Sequence, residues 1–417
     1  MPPGLQGASA PLALHPMLQK VEDGGPRDWV LNMNELAVAA MRAGDRELAK
    51  KCLDESMLNI SDVFGRTPEA AKARSIFFNE HVKLFKGDPY ERSMTFFYRG
   101  VLYMQDADWG NARACFRSAE LQDAFAEEEQ DRADWTLFDY LIALCSARMG
   151  DGDEYVRESY RRAKDTYTVF PERYRAVVGG DPINADPAML RMPRVTDNLL
   201  VIIATGRGPL KKQRGKYREF LAYQRPPNMD TTASVTAGDQ AATNSLTVDS
   251  VYYQARTRGG RAFDTIQGRK VFFKSTAESI ATVGAVAGYG IFSSAGSSSN
   301  GNDQALAGLI ILGAAGLFEL FSELVATQAD TRQWYSLPDA LGIYESGAVP
   351  AGPQKIAVDY PASRHAEAVV DIPPSGKGMA VVLAFPGTEP VLLTSQSKPQ
   401  QQPEPLPTPT TPQEKKR

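Results

Sequence analysis

The side chains with the widest chemical range are few in this chain and far apart. The three histidines are His15, His81 and His365, and none stands at ligand spacing from a cysteine or a carboxylate. A structural or catalytic zinc needs three or four such donors brought together, so no metal site and no cofactor are expected. The three cysteines, Cys52, Cys115 and Cys145, lie in apolar stretches and read as small buried hydrophobes. An odd count supplies no disulfide framework and leaves one bridge open. Phosphate-loop, nucleophile-elbow, H-E-x-x-H and C-x-x-C patterns do not occur. The segment GRGPLKKQRGK (206–216) has glycines and lysines, but not at the spacing that cradles a phosphate. The acidic run Glu127, Glu128, Glu129 has the character of a solvated helix face. No catalytic residue emerges, and the chain is not expected to be an enzyme.

What remains is binding chemistry. Lys211, Lys212, Arg214 and Lys216 follow one another closely. They form either a solvated basic loop or a patch for an anion or a lipid headgroup beside a membrane. A formal net charge of −4 provides no overall field for nucleic acid, and none is expected as a partner. Asn32, Asn34, Glu35, Tyr98 and Arg99 are the candidates for contacting a protein or peptide. Side chains two apart on a helix do not share a face, so at most one of Asn32 and Asn34 can point into a groove.

These candidates need helices to position them. The 417 residues allow two or three domains. The contents of 43% hydrophobic and 23% charged residues are ordinary for a globular protein. Residues 96–119 read FFYRGVLYMQDADWGNARACFRSA. Gly100 and Ala112 are small enough for two helices to approach, with Tyr103 and Phe116 filling the space beside them. Asp108 is placed to cap the second helix. This is the build of a tetratricopeptide repeat. Residues 28–60, turning at MRAGDRELA, repeat the offsets. Residues 133–149 and 153–168, about Gly150-Asp151-Gly152, form a degenerate third hairpin. Another helix is expected over 68–84, after a Thr67-Pro68-Glu69 start. The expected organisation is a poorly ordered leader (1–27) and tetratricopeptide-like helical repeats (28–170). The first helix of each repeat lines the binding face in such solenoids, which selects the five candidates.

Past residue 170 the pattern changes to a mixed α/β domain (171–393). LLVIIAT (199–205) is an apolar, β-branched run bounded by Gly and Pro, the mark of a buried strand. Residues 225–247 are small and polar and read as a disordered excursion; 248–257 reads as a strand, and 268–280 as a strand passing into a helix. Two small-residue apolar segments follow, 280–296 with a GxxxG at Gly284 and Gly288, and 305–326. The uncharged run 305–318 is shorter than the ~20 residues a spanning helix needs. A glycine-rich helical hairpin (280–326) packed on the rest is therefore expected, with membrane insertion as the alternative. Residues 329–341 should close that helix. The stretches 354–360, 366–371 and 378–385 should form a small antiparallel sheet, and the Pro/Gln-rich 394–417 a disordered tail. The fold class is thus α+β.

Three blocks in this order, FKGDPYERSMTFFYRGVLYMQDADWGNARACFRSA, GRGPLKK after a hydrophobic strand, and ADTRQWYSLPDAL, resemble a family of largely uncharacterised bacterial envelope proteins. These are often lipoproteins, with a tetratricopeptide-like N-terminal half. The resemblance implies a location in the cell envelope, periplasmic or membrane-associated, and an interaction role, and carries no catalytic residues. The N-terminus departs from it, having neither an export signal nor a lipid-bearing cysteine, which implies a cytoplasmic protein if Met1 is the true start. The expected function is a non-enzymatic protein–protein interaction or scaffold protein. The alternative is a membrane-associated assembly or pore component using 280–326. A weaker alternative is an enzyme with a repeat recruitment domain, which a deep polar pocket between 199–205 and 329–341 would favour.

Overall fold

A computed structural model describes residues 11–63, 84–85, 87–123, 134–214, 218, 220–226, 232–257, 329–347 and 349–399. The expected helix 68–84 falls almost wholly outside the described residues. The hairpin 280–326, the 268–280 segment, His81, Glu127 to Glu129 and Lys216 lie outside them altogether. The protein is α+β, with helices filling the N-terminal half and strands dominating thereafter.

Six of the helices form consecutive hairpins. They are α1 (His15–Arg42), α2 (Arg46–Val63), α3 (Pro89–Gln105), α4 (Trp109–Asp123), α5 (Thr136–Met149) and α6 (Asp153–Val178). Local chemistry sets their ends. Asp45 Oδ1 accepts the Leu48 N–H at 3.0 Å, and Asp108 Oδ1 accepts the Asn111 N–H at 3.1 Å, the bonds an N-cap makes to otherwise unpaired donors. Glu91 Oε2 reaches back to the Asp88 N–H at 2.7 Å, the return half of a capping box. Gly100 has a packing role. A Cβ there would stand 2.6 Å from the Phe116 ring, so only glycine lets α3 and α4 close on that aromatic. Phe116 is buried as expected, whereas Tyr103 is only half-buried, under the Arg99 guanidinium 3.6 Å from its ring centre.

Two helix boundaries differ from expectation. The leader is not loose throughout: helix begins at His15 and buries Val21, kinking where Gly25 takes a φ of 52° ahead of Pro26. The expected boundary at residue 170 falls inside α6, which runs through Pro171 to Val178. Phe170 and Tyr174 pack on Tyr253 of a later element, with ring centres 5.7 and 6.4 Å away. That burial carries the helix past its proline.

The strands are β1 (Leu199–Thr205), β2 (Leu210–Arg214), β3 (Phe220–Gln224), β4 (Ser234–Ala237), β5 (Thr243–Asn244), β6 (Leu246–Ser250), β7 (Ala340–Ser346), β8 (Gly352–Tyr360), β9 (Arg364–Ile372), β10 (Ala380–Phe385) and β11 (Val391–Leu393), with α7 (Val251–Thr257) after β6. Five of them make a sheet in the order β11-β10-β1-β7-β6, and four make a second in the order β5-β4-β8-β9, while β2 and β3 pair as a hairpin. β1 runs parallel to β10, with Ile202 opposite Leu383, and antiparallel to β7.

Burial gives the layering. Leu200, Ile202 and Ala204 of β1 join Leu383 and Phe385 in the core shared with the helices. Leu199, Val201 and Ile203 join Val235, Ile356 and Val358 in the core shared with the four-stranded sheet. Alternate residues of a strand face opposite sides, so the five-stranded sheet is the middle of three layers: helices, sheet, sheet. A strand buried on both faces must be apolar at every position, which LLVIIAT and AVVLAF both are.

This layering corrects four expectations. The excursion 225–247 contains β4, β5 and the start of β6, because small polar residues suffice for strands that need only one apolar face. Residues 248–257 turn from strand to helix at Val251. The three C-terminal strands do not form one sheet: β8 and β9 pair with each other, while β10 goes to the middle layer. Residues 329–341 close no helix. They have no regular structure, apart from a turn at Tyr335-Ser336, until β7 begins at Ala340. Among the described residues, no helix is long and apolar enough to cross a membrane.

Candidate functional site

The face of the helical layer formed by α1 and α3 is covered by the protein's own chain. Residues 329–339 have no regular structure and lie across α1 and α3, held mainly through their backbone. Glu91 Oε1 accepts the Trp334 N–H at 2.9 Å, and Glu35 Oε1 accepts the Tyr335 N–H at 2.6 Å. Arg332 reaches Asp28 at 2.8 Å. The Trp334 ring packs beside Tyr98, centres 5.8 Å apart, and its Nε1 donates to Ser336 Oγ. Further on, Leu337 O accepts from Gly208 N and Asp339 N donates to Thr205 O, tying the segment to both ends of the β1–β2 turn.

A buried charge network anchors this arrangement. Lys211 Nζ lies 2.6 Å from Glu91 Oε2 and 3.1 Å from Asp88 Oδ2, and donates to Arg332 O at 3.0 Å. Burial pulls the Lys211 ammonium down, but Asp88 and Glu91 outweigh it and hold it above its ordinary value. Burial likewise pushes the Glu91 carboxyl up, with Lys211 pulling against it.

The candidates named from sequence take several places here. Glu35 and Tyr98 contact residues 334–335. Asn34 is buried and donates to Thr95 Oγ1 at 2.9 Å, so its amide is turned between α1 and α3, while Asn32 donates to Lys20 O at 2.9 Å across the α1 kink and lines a shallow cavity of about 410 Å³ there. Arg99 is buried and pairs with Asp54 of α2 at 2.7 Å. Of the basic patch, Lys211 is buried in the network above, while Lys212 and Arg214 are exposed on alternate positions of β2. A headgroup patch containing Lys211 is therefore not formed. Strand alternation divides a run that looks continuous in sequence.

Beside this segment opens a cavity of about 870 Å³. It sits where the parallel strands β1 and β10 end, between their following turns (Gly206 to Leu210, and Pro386 to Thr388) and residues 333–338. Crevices at the carboxyl ends of parallel strands are a recurrent place for ligands. Arg42, Arg207 and Arg364 reach it from α1, the β1–β2 turn and β9, and Tyr98 lines its wall. Among the described residues, no carboxylate, imidazole or thiol lines it. The lining can bind an anion and polarise it, but brings no conventional general base. Arg42 and Arg364 carry no signal in sequence, since each is one arginine among ordinary neighbours. Glu91 has one, three residues after Asp88, but that spacing announces a helix cap and not a buried counter-ion.

Among the described residues, no group of three or more His, Cys, Asp or Glu side chains converges on a metal position. Cys52, Cys115 and Cys145 are buried and free, and burial pushes each thiol up, away from the thiolate that reactive cysteines need. No protein-family model, curated protein or solved structure matches this chain.

Proposed function

We propose that this is a non-enzymatic interaction protein, a scaffold of the bacterial cell envelope, whose helical hairpins act as a tetratricopeptide-like layer that recognises extended chain. The observation that carries the reading is the pair of carboxylates, Glu35 and Glu91, spent on successive backbone N–H groups at Tyr335 and Trp334. Recognition through the main chain, with one aromatic anchor, is how a protein holds an unfolded peptide. Here the same chemistry works within the chain. The envelope location rests on the three sequence blocks.

The test uses the protein's own segment. A labelled peptide of sequence ADTRQWYSLPD should bind to the full-length Trp334→Ala variant, whose internal segment is loosened, and bind poorly to the wild type. Adding Glu91→Gln should weaken that binding about tenfold, the effect of losing a charge-assisted hydrogen bond. A Trp334→Ala protein with native circular dichroism and no affinity for the peptide would sink the proposal.

The second reading is a membrane-associated assembly component using 280–326. It rests on the small-residue apolar character of that stretch, with its GxxxG at Gly284 and Gly288. Full-length protein that leaves host membranes entirely under a carbonate wash would count against it.

A further inference from the structure

The arginine-rimmed cavity borders the peptide-holding face, sharing Tyr98, Gln333 and residues 335–338 with it, but its rim has a chemistry of its own. Arg42 is half-buried, yet its partners are the carbonyl oxygens of Pro386 (2.7 Å) and Glu389 (3.0 Å) and the Phe385 ring. No carboxylate pairs with it among the described residues. These bonds use two of a guanidinium's five N–H donors. Gly387 allows the approach, since a Cβ there would stand 2.7 Å from Arg42 Nη2. Burial pulls the Arg42 guanidinium below its ordinary value, as expected of a desolvated cation without a counter-ion. Arg207 is exposed on the rim and has no partner among the described residues. The Tyr98 hydroxyl is the second, independent sign. Tyr98 is 0% exposed, lines the cavity, and its oxygen has no hydrogen-bond partner among the described residues. Buried hydroxyls are rarely left so unless something else completes them.

The walls add the other half of a ligand. Val38, Leu337 and Phe385 are apolar, and a cavity of about 870 Å³ lies within the ~300–1,000 Å³ range of small-molecule sites. An inorganic ion would leave most of that volume and the whole apolar wall unused. We propose that the cavity binds a small organic anion, its phosphate, sulfonate or carboxylate head held by Arg42, Arg207 and the Tyr98 hydroxyl, and its apolar body lying against Val38, Leu337 and Phe385. The proposal concerns the protein with residues 335–338 in place and needs no external peptide on the helical face.

Two dyes of similar shape test it on the full-length protein: anilinonaphthalene sulfonate, which is anionic, and phenylnaphthylamine, which is neutral. The anionic dye should bind the wild type more tightly. Arg207→Gln should weaken it about tenfold, the worth of one charged hydrogen bond, and leave the neutral dye unchanged. Tyr98→Phe removes only an unpartnered hydroxyl, so the fold should persist while the anionic dye again loses affinity. Phenyl phosphate should displace the dye at concentrations where inorganic phosphate does not. The proposal is overturned if both dyes bind alike, if Arg207→Gln leaves the anionic dye unaffected, or if inorganic phosphate competes as well as phenyl phosphate.

Discussion

Lys211→Met is the sharpest perturbation the fold offers, because the same residue would be dispensable in a solvated basic loop. In the structure Lys211 is buried and stands between Glu91 and Asp88, at 2.6 and 3.1 Å. Methionine fills the stem's volume and removes the charge. Glu91, itself buried, keeps two backbone N–H donors but loses its counter-ion. Removing one partner of a buried pair costs about 3–5 kcal/mol, whereas an exposed lysine costs within about 0.5 kcal/mol. Direction with pH follows from the carboxyl. Burial already raises Glu91, and without Lys211 it rises further. A carboxyl raised above its unfolded value contributes stability below that value and loses it as pH rises through the folded one. The variant's deficit should therefore be widest near pH 8 and shrink toward about pH 5. Urea unfolding followed by tryptophan emission reads this directly, since Trp334 is buried beside the network. Glu91→Gln and the double variant complete a cycle whose coupling should be about 1–3 kcal/mol. A Lys211→Met protein within about 0.5 kcal/mol of wild type at pH 8, or a coupling near zero, would refute the buried network.

Two other predictions concern the packing and a second buried carboxyl. Phe116→Ala should cost about 3–5 kcal/mol in the same assay, because Phe116 fills the gap over Gly100; a wild-type urea midpoint would show that α3 and α4 do not close on that ring. Burial pushes the Glu345 carboxyl up to about 7, against the pull of Arg191 and the Tyr140 hydroxyl, so its stabilising contribution is complete below the unfolded value and lost as pH rises to about 7, a fall of about 3 kcal/mol. Glu345→Gln should flatten the stability profile across that window, and an unchanged profile would contradict the assignment.

The helical hairpins were legible because their determinants are local. Gly100 and Phe116 are sixteen positions apart in one hairpin, and Asp108 caps the helix it immediately precedes. β1 was legible for a different reason: an all-apolar run of its length has few places to go but a doubly buried strand. The residues of the candidate site were not. Trp334 N–H meets a carboxylate 243 positions away, and Tyr335 N–H one 300 positions away. A segment satisfied in that way shows no period of its own, so 329–341 looked like the end of a helix. Asn32, Asn34 and Arg99 sit on the helices expected, but their orientation depends on packing against α3, α2 and the α1 kink, which no spacing rule contains.

By itself, the sequence determined most of the helical hairpins and one doubly buried strand, β1. Only the tertiary structure decided what those elements face. It turned Lys211 inward while leaving Lys212 exposed, laid 329–339 across the helical layer, and brought Arg42, Arg207 and Arg364 to one cavity from three elements. The physical reason is range. Helix and strand formation follow neighbouring residues, whereas burial, counter-ion pairing and cavity lining depend on groups hundreds of positions apart that meet only when the layers close.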